Sequence, residues 1–262
     1  MHKLKFAIAG CGFLGNIVAD AWRQGLLADY ELVGCFDHNA ASTAALADKN
    51  ACQPCATLDE LLALRPDYVV EAASPGLLRD IAQPTLSAGA NLIVLSIGAF
   101  ADADFLAHIE TLARTTGRRV HLASGAIGGF DVLRTAALMS AIDAGIRTEK
   151  GPASLRGTPI FNEELLTASA PSEVFSGNAR DAISLFPTKV NVSVATALAT
   201  AGVAATQVSI NSVPGFLGDD HRIEVRGEEV HVVVDTYSRT SAIAGWSVVA
   251  LMRNLAAPIA FG

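Results

Sequence analysis

The chain has 262 residues, 51% of them hydrophobic and 17% charged, with a net charge of −7 and a pI near 5.3. That balance excludes a disordered or heavily solvated chain, and the lack of any basic block argues against nucleic acid as a partner. No uninterrupted apolar run is long enough to cross a bilayer, so no membrane partner is expected.

Lys5 to Ala9 is a short apolar run. With Lys3 and Lys5 ahead of it, it resembles a signal peptide, but three glycines break it at once and it reads as a buried strand. The next residues are Gly10-Cys11-Gly12-Phe13-Leu14-Gly15, and Asn16 to Arg23 follows as a helix. Strand, glycine turn and helix start together suit a dinucleotide pyrophosphate. Gly10 takes the tight turn, Gly12 lets phosphate approach the backbone, and Gly15 lets helix and strand pack closely. Free N–H groups at the helix start, including those of Phe13 and Leu14, face the negative charge. Glu31 to Phe36 reads as a second strand and ends in Asp37. That acid lies some twenty residues past Gly15, the spacing of a carboxylate that takes adenosine ribose hydroxyls. Its charge favours NAD over NADP, with dual use open because His38 and Asn39 follow.

Strands and helices keep alternating. Ala40 to Lys49 reads as a helix. Thr57-Leu58-Asp59-Glu60 is a capping box that starts another, which ends before Pro66. Tyr68 to Ala73 is a third strand, and Ser74-Pro75 caps a helix running towards Gly89. Asn91 to Ile97 is a strand, Asp102 to Thr115 an amphipathic helix ending at Gly117, and Arg119 to Ala123 a strand. The expected fold class is α/β: an N-terminal Rossmann dinucleotide-binding domain, a doubly wound and mostly parallel sheet. Ligands of such sheets lie beyond the carboxyl ends of the strands. Ala73, Ser74, Pro75, Ser96 and Gly98 therefore join Gly10 to Gly15 and Asp37 as expected cofactor contacts. Glu71, inside an apolar strand, reads as a paired core carboxylate. Cys11, Cys35, Cys52 and Cys55 read as reduced thiols of a cytoplasmic protein. The last two form a CxxC without a second pair, so no metal site is expected.

At Ser124 to Gly129 the pattern changes to a glycine-rich crossing, followed by a helix from Asp131 to about Ile142. Strand-like segments then dominate: Pro159 to Asn162, Val174 to Ser176, Gln207 to Asn211, Ile223 to Val225 and Val230 to Val234. Helices at Asn178 to Leu185 and Val190 to Thr200 lie among them. Arg226 to Glu229 reads as a hairpin turn, with Gly227 at positive φ. This predicts a second α+β domain carrying an antiparallel sheet over residues 125–241. The dinucleotide-binding domain covers residues 1–124 and is completed by the apolar C-terminal helix within 242–262.

The second half resembles a known family. Ser124 to Asp131 (SGAIGGFD) is similar to its SGAIGGLD, and Phe186 to Val192 (FPTKVNV) to its FPxNxNVA. Pro214 with Asp219-Asp220-His221 is similar to its DPxxxxNxHxI, and the ending from Arg253 to Gly262 also matches. The family is that of the L-aspartate dehydrogenases, and the resemblance covers nearly the whole chain. It implies oxidation of L-aspartate to iminosuccinate with NAD or NADP, then hydrolysis to oxaloacetate and ammonia, or the reverse. It also implies His221 as the active-site histidine, Ala126 and Asn191 as cofactor-contacting residues, and a homodimer. Histidine suits the proton transfers of amine oxidation near neutral pH. A dicarboxylate substrate needs cations, and Lys189, Arg222 and Arg239 are candidates by charge.

The chain departs from the pattern in places: the asparagine two before the histidine is Asp219, the one in FPxNxNVA is Lys189, the family's NPKTS is Tyr237 to Ser241, and Ser193-Val194 follow Asn191-Val192. An amide that donates has become a carboxylate that only accepts. Asp219 is thus a candidate substrate-binding position whose charge opposes a dicarboxylate and raises the His221 pKa, with Lys189 offsetting it. Two alternatives follow: a sibling dehydrogenase acting on another amino or dicarboxylic acid, and a catalytically silent nucleotide-binding sensor.

Overall fold

The computed structural model describes residues 3–186 and 190–261. The chain divides into two compact units, Met1–Gly125 with Ala244–Gly262, and Ala126–Ile243. Among the described residues, no helix is long and apolar enough to cross a membrane.

The first unit alternates β1 (Leu4–Ala9), α1 (Phe13–Arg23), β2 (Tyr30–Phe36), α2 (Ala40–Asn50), β3 (Gln53–Cys55), α3 (Leu58–Ala63), β4 (Tyr68–Glu71), α4 (Pro75–Ser87), β5 (Asn91–Val94), α5 (Ala103–Thr116) and β6 (Val120–Leu122). The strands form one sheet in the order β3-β2-β1-β4-β5-β6, and every pair is parallel. The order reverses between β1 and β4, the switch point at which doubly wound sheets open a crevice for ligands. Strands buried on both faces explain the near-continuous apolar runs in sequence. Phe6, Ile8, Val70 and Ile93 form the centre of the core. The helix Ala242–Ala256 returns to this core through Val248, Val249 and Met252, and the Tyr30 hydroxyl donates to the Met252 carbonyl at 2.8 Å. Burial pushes the Tyr30 phenol well above its ordinary pKa, which keeps it a donor.

Caps set the helix starts as expected. Thr57 Oγ1 accepts from the Glu60 N–H at 3.2 Å, and Glu60 reaches back to the Ala56 N–H at 2.8 Å. Ser74 Oγ accepts from the Leu77 N–H at 3.2 Å, with Pro75 in the first turn. The short edge strand β3 has no counterpart in the sequence pattern, since Gln53-Pro54-Cys55 carries no apolar alternation. β4 and β5 end earlier than their apolar runs, and Ile97–Ala101 turns into a 3-10 helix.

The second unit contains α6 (Phe130–Met139), β7 (Ile142–Lys150), α7 (Glu164–Thr167), β8 (Ser172–Asn178), α8 (Ala179–Leu185), α9 (Asn191–Ala199), β9 (Gln207–Ser212), β10 (Asp219–Gly227) and β11 (His231–Ser238). Its sheet runs β11-β10-β7-β9-β8. Three pairs are antiparallel, and the central pair β7 with β9 is parallel, so the sheet is mixed. Helices α6 and α9 cover one face, onto which Ala144, Ile146, Ile210, Ile223 and Val225 are buried.

Four local expectations change. The helix after Gly129 stops at Met139, and β7 follows it unannounced. Its buried face holds Thr148 and Lys150 beside Ala144 and Ile146, so the apolar half of the alternation is diluted by polar residues. Pro159 to Asn162 is not a strand but a turn, in which the Phe161 N–H donates to the Thr158 carbonyl at 3.1 Å. Gly227 lies in β10 without a positive φ; a Cβ there would lie 2.6 Å from Ser140 Oγ, so the Ser140 side chain would have to move to admit one.

Candidate active site

The first unit offers a cradle made of backbone. Gly10 has φ +110°, and a Cβ on it would lie 2.7 Å from the Ala72 carbonyl carbon and 2.9 Å from Ala73 Cβ, so the turn closes against the end of β4. A Cβ on Gly15 would collide with the Gly10 carbonyl oxygen, which is why α1 packs this close to β1. Gly12 differs: a Cβ there would meet nothing within 4 Å. The open space lies over a helix start that no side chain caps, so the N–H groups around Phe13 and Leu14 suit an anion. The residues present therefore fit a dinucleotide pyrophosphate.

Asp37 braces the turn. Its Oδ2 accepts from the Cys11 N–H at 2.7 Å and its Oδ1 from the Asn39 N–H at 2.8 Å, and each oxygen retains capacity for a hydroxyl. A cavity of about 550 Å³ opens beside it, lined by Asp37, His38, Thr43, Pro54, Thr57 and Glu60. Its size and place at the ends of β2 and β3 suit an adenosine.

Glu71 organises the next two strand ends. It is fully buried and accepts from the Ala73 N–H at 2.9 Å, the Ser96 N–H at 2.9 Å and the Ser96 hydroxyl at 2.8 Å. Burial pushes its pKa up, and these hydrogen bonds pull it back. Its partners are N–H and O–H donors rather than a cation. Of the expected contacts Ser96 and Gly98, Ser96 is buried with its hydroxyl given to Glu71, and Gly98 is buried in the 3-10 turn Ile97–Ala101. Both shape the end of β5 from below. Ala73 is exposed at the end of β4, whereas Ser74 Oγ and Pro75 serve the start of α4.

The second unit offers side chains. β10 pairs with β7 so that His221 stands opposite Thr148 and Asp219 opposite Lys150. All four share the helix-covered face, because residues two apart on a strand point the same way. His221 is 2% exposed, and its Nδ1 lies 2.9 Å from the Thr148 hydroxyl, also buried. Lys150 Nζ lies 2.6 Å from Asp219 Oδ1, and Lys150 is only 7% exposed. Burial, and after it the Lys150 charge, push the imidazole pKa down to about 4, with Asp219 partly opposing them. His221 is therefore neutral near pH 7, with its ring fixed by Thr148.

The neighbouring strands extend these pairs into rows. Ser212, Lys150, Asp219 and Ser238 are in register across β9, β7, β10 and β11, and Ile210, Thr148, His221 and Thr236 form the row beside them. One row further, Val208, Ile146, Ile223 and Val234 are apolar. The polar rows thus end a hydrophobic sheet face.

The other predicted positions divide. Asn191 opens α9 and is half-buried, and Ala126 is half-buried in the glycine-rich crossing between Gly125 and Gly129, both at positive φ. Arg239 is exposed just past β11, with no ion pair among the described residues. Arg222 points to the opposite face of the sheet and pairs with Asp235 at 3.1 Å, so it does not join His221. Lys189 lies outside the described residues. Thr148 and Lys150 had escaped sequence reasoning; the one available signal was the alternation of charged Asp143, Arg147 and Glu149 with the residues between them.

Two family models match the chain: "Aspartate dehydrogenase, C-terminal" over residues 131–255 and "Homoserine dehydrogenase, NAD binding domain" over residues 10–123. An L-aspartate dehydrogenase of Methanococcus maripaludis is 31% identical over 269 residues, covering 99% of this chain and 99% of that protein. One of Methanocella arvoryzae is 32% identical over 268 residues, covering 98% and 99%. The crystal structure of aspartate dehydrogenase from Thermotoga maritima superposes with a TM-score of 0.78 over 100% of both chains at 24% identity, which establishes the shared fold. With full-length relatives above 30% identity, the chain belongs to the L-aspartate dehydrogenase family.

Proposed function

We propose that this protein catalyses the NAD(P)-dependent oxidative deamination of L-aspartate to iminosuccinate, which hydrolyses to oxaloacetate and ammonia, and the reverse reductive amination. The observation that carries this reading is the full-length likeness to proteins named L-aspartate dehydrogenase. The chemistry of the two units agrees with it: one has a phosphate cradle and an acid for ribose hydroxyls, the other a buried neutral histidine beside a lysine.

Gly10, Gly12 and Gly15, with the N–H groups of Phe13 and Leu14, would hold the pyrophosphate, and Asp37 the adenosine ribose; Ala126 and Asn191 are the further expected contacts. A bound nicotinamide supplies the acceptor for the hydride leaving Cα. Everything else falls to side chains. His221 takes a proton from the substrate ammonium, so that the nitrogen lone pair can drive hydride departure, releases that proton to solvent, and then takes one from the water that attacks the imine carbon. Its low pKa keeps it unprotonated until substrate arrives. The two substrate carboxylates then bring negative charge, which raises that pKa and stabilises the imidazolium. Thr148 holds the ring in one orientation.

Asp37 favours NAD over NADP, because its charge repels a 2′-phosphate. The open face of the second sheet carries exposed Val233 and Tyr237 between ion pairs such as Arg222–Asp235, which supports a homodimer formed through it. A cytoplasmic enzyme is the reading that fits four free cysteines.

The test is absorbance at the reduced-nicotinamide band with NAD or NADP and a panel of L- and D-amino acids and hydroxy acids. Reduction with L-aspartate is the expected result. Turnover of a different acid with none of aspartate would move the function to a sibling dehydrogenase. Equal affinity for NADP and NAD would show that Asp37 does not face the ribose.

A further inference from the structure

The relation between Lys150 and Asp219 has a consequence for which substrates the site accepts. Among the described residues, these two are the only charged side chains in the polar rows around His221; the others are Ser212, Ser238, Thr148 and Thr236. Lys150 is nearly excluded from water and has one carboxylate in contact, Asp219 at 2.6 Å. Asp219 is the more accessible partner, its side chain 32% exposed against 9% for Lys150. Asp219 is therefore the member of the pair that solvent reaches more readily.

We propose that Lys150 is the cation that receives a substrate carboxylate, and that Asp219 is a specificity-determining residue that weakens this binding by holding Lys150 in a net-neutral pair. The proposal rests on reading this site as one for an amino dicarboxylic acid. An ammonium has three donors and can bond a second carboxylate while keeping the first. The incoming carboxylate then lies within a few ångströms of Asp219, where like charges repel. At the family's position for an amide, this chain therefore discriminates less strongly between dicarboxylates and substrates with a neutral side chain. Removing the charge of Asp219 leaves Lys150 as an unneutralised cation beside His221 and turns the site towards dianions.

The test uses succinate, a dicarboxylate with no amine to oxidise, titrated calorimetrically into the cofactor-saturated protein. Asp219→Asn is expected to bind succinate about tenfold more tightly than the wild type, a gain typical of one partly screened charge. Lys150→Met is expected to bind it more weakly, and Asp219→Asn added to Lys150→Met to restore none of the affinity. Succinamide, uncharged at both ends, is expected to show no gain, which separates charge from a general loosening of the site. Equal or weaker succinate binding by Asp219→Asn overturns the proposal, as does a gain that persists without Lys150 or extends to succinamide. Loss of measurable succinate binding in every variant overturns it too. If Asp219→Asn does not fold with its lysine unpaired, Asp219→Ser removes the same charge and is judged by the same titration. Turnover of L-aspartate by the wild type is measured in parallel. Its absence alongside a succinate gain would sink the functional reading and leave the specificity role standing.

Discussion

The glycine turn and the His221 cluster solve two recognition problems with different materials. The turn is backbone: its three glycines remove side chains, no side chain caps the helix start beyond it, and the residues involved run from Gly10 to Gly15. The His221 cluster is side chains brought together by strand pairing, and its two contacts join residues 73 and 69 positions apart in the chain. A phosphate needs several weak donors in a fixed curve, which a local turn supplies. Proton transfer needs one group of tuned pKa, and burial by a whole sheet supplies that.

The sharpest way to break this comparison is to remove the central group of the second site and ask whether the first one notices. His221→Ala is expected to lower kcat by about 10²–10⁴-fold, the usual contribution of a general acid–base group. Cofactor affinity, read by fluorescence titration, is expected to stay unchanged. Loss of both would mean that the two sites are not separable, and unchanged turnover would remove His221 from the chemistry.

The difference in materials also explains what the sequence revealed. The strand–glycine turn–helix geometry of Gly10, Gly12 and Gly15, with Asp37 closing the end of β2, was legible because it follows from local spacing. The parallel sheet was legible because strands buried on both faces are apolar throughout. Strand β7 was not, because its buried face is polar where it matters: Thr148 and Lys150 look like loop residues until β10 lies against them. His221 was identified only through the resemblance, and neither its low pKa nor its partners could be read without the register. Ser96 is expected to be a ligand contact because it follows a strand end, and its hydroxyl partner could not be read from sequence. Whether a strand-end side chain points to ligand or to a buried acid such as Glu71 is decided by packing.

Two glycines of the turn sharpen the comparison from the other side. Gly12→Ala meets no atom within 4 Å and has an ordinary φ of −78°, so the fold is expected to keep its melting temperature. The new methyl stands where phosphate approaches, and cofactor affinity is expected to fall by about tenfold or more. Gly15→Ala drives a Cβ into the Gly10 carbonyl, so stability is expected to fall by about 1–3 kcal/mol together with binding. Calorimetric unfolding beside a cofactor titration checks both; equal stability losses would show that the open space over Gly12 is not real.

The histidine also leaves a mark on stability. Its folded pKa of about 4 lies below the ordinary 6.5, so the unfolded chain binds a proton that the folded one refuses. Stability therefore rises with pH across that interval and is lost as pH falls from about 6.5 towards 4, by up to about 3 kcal/mol from this residue. Denaturant melts at pH 7 and pH 4.5 are expected to show a smaller acid loss in His221→Ala than in the wild type. An identical loss would mean that carboxylates alone govern the acid limb.

The smallest effect tests the hydroxyl behind the ring. Thr148→Val keeps the branched shape on β7 and removes the group 2.9 Å from His221 Nδ1. A net hydrogen bond contributes about 0.5–1.5 kcal/mol, so stability is expected to fall by about that much. The loss in kcat is expected to be about tenfold, since the ring is then free to rotate and to exchange tautomers while burial still holds its pKa low. Thr148→Ser restores the hydroxyl without the methyl and is expected to recover most of kcat while remaining less stable, because the buried methyl is lost. Recovery of stability without recovery of kcat would reverse the assignment, making Thr148 a packing residue and leaving the orientation of His221 to its burial alone.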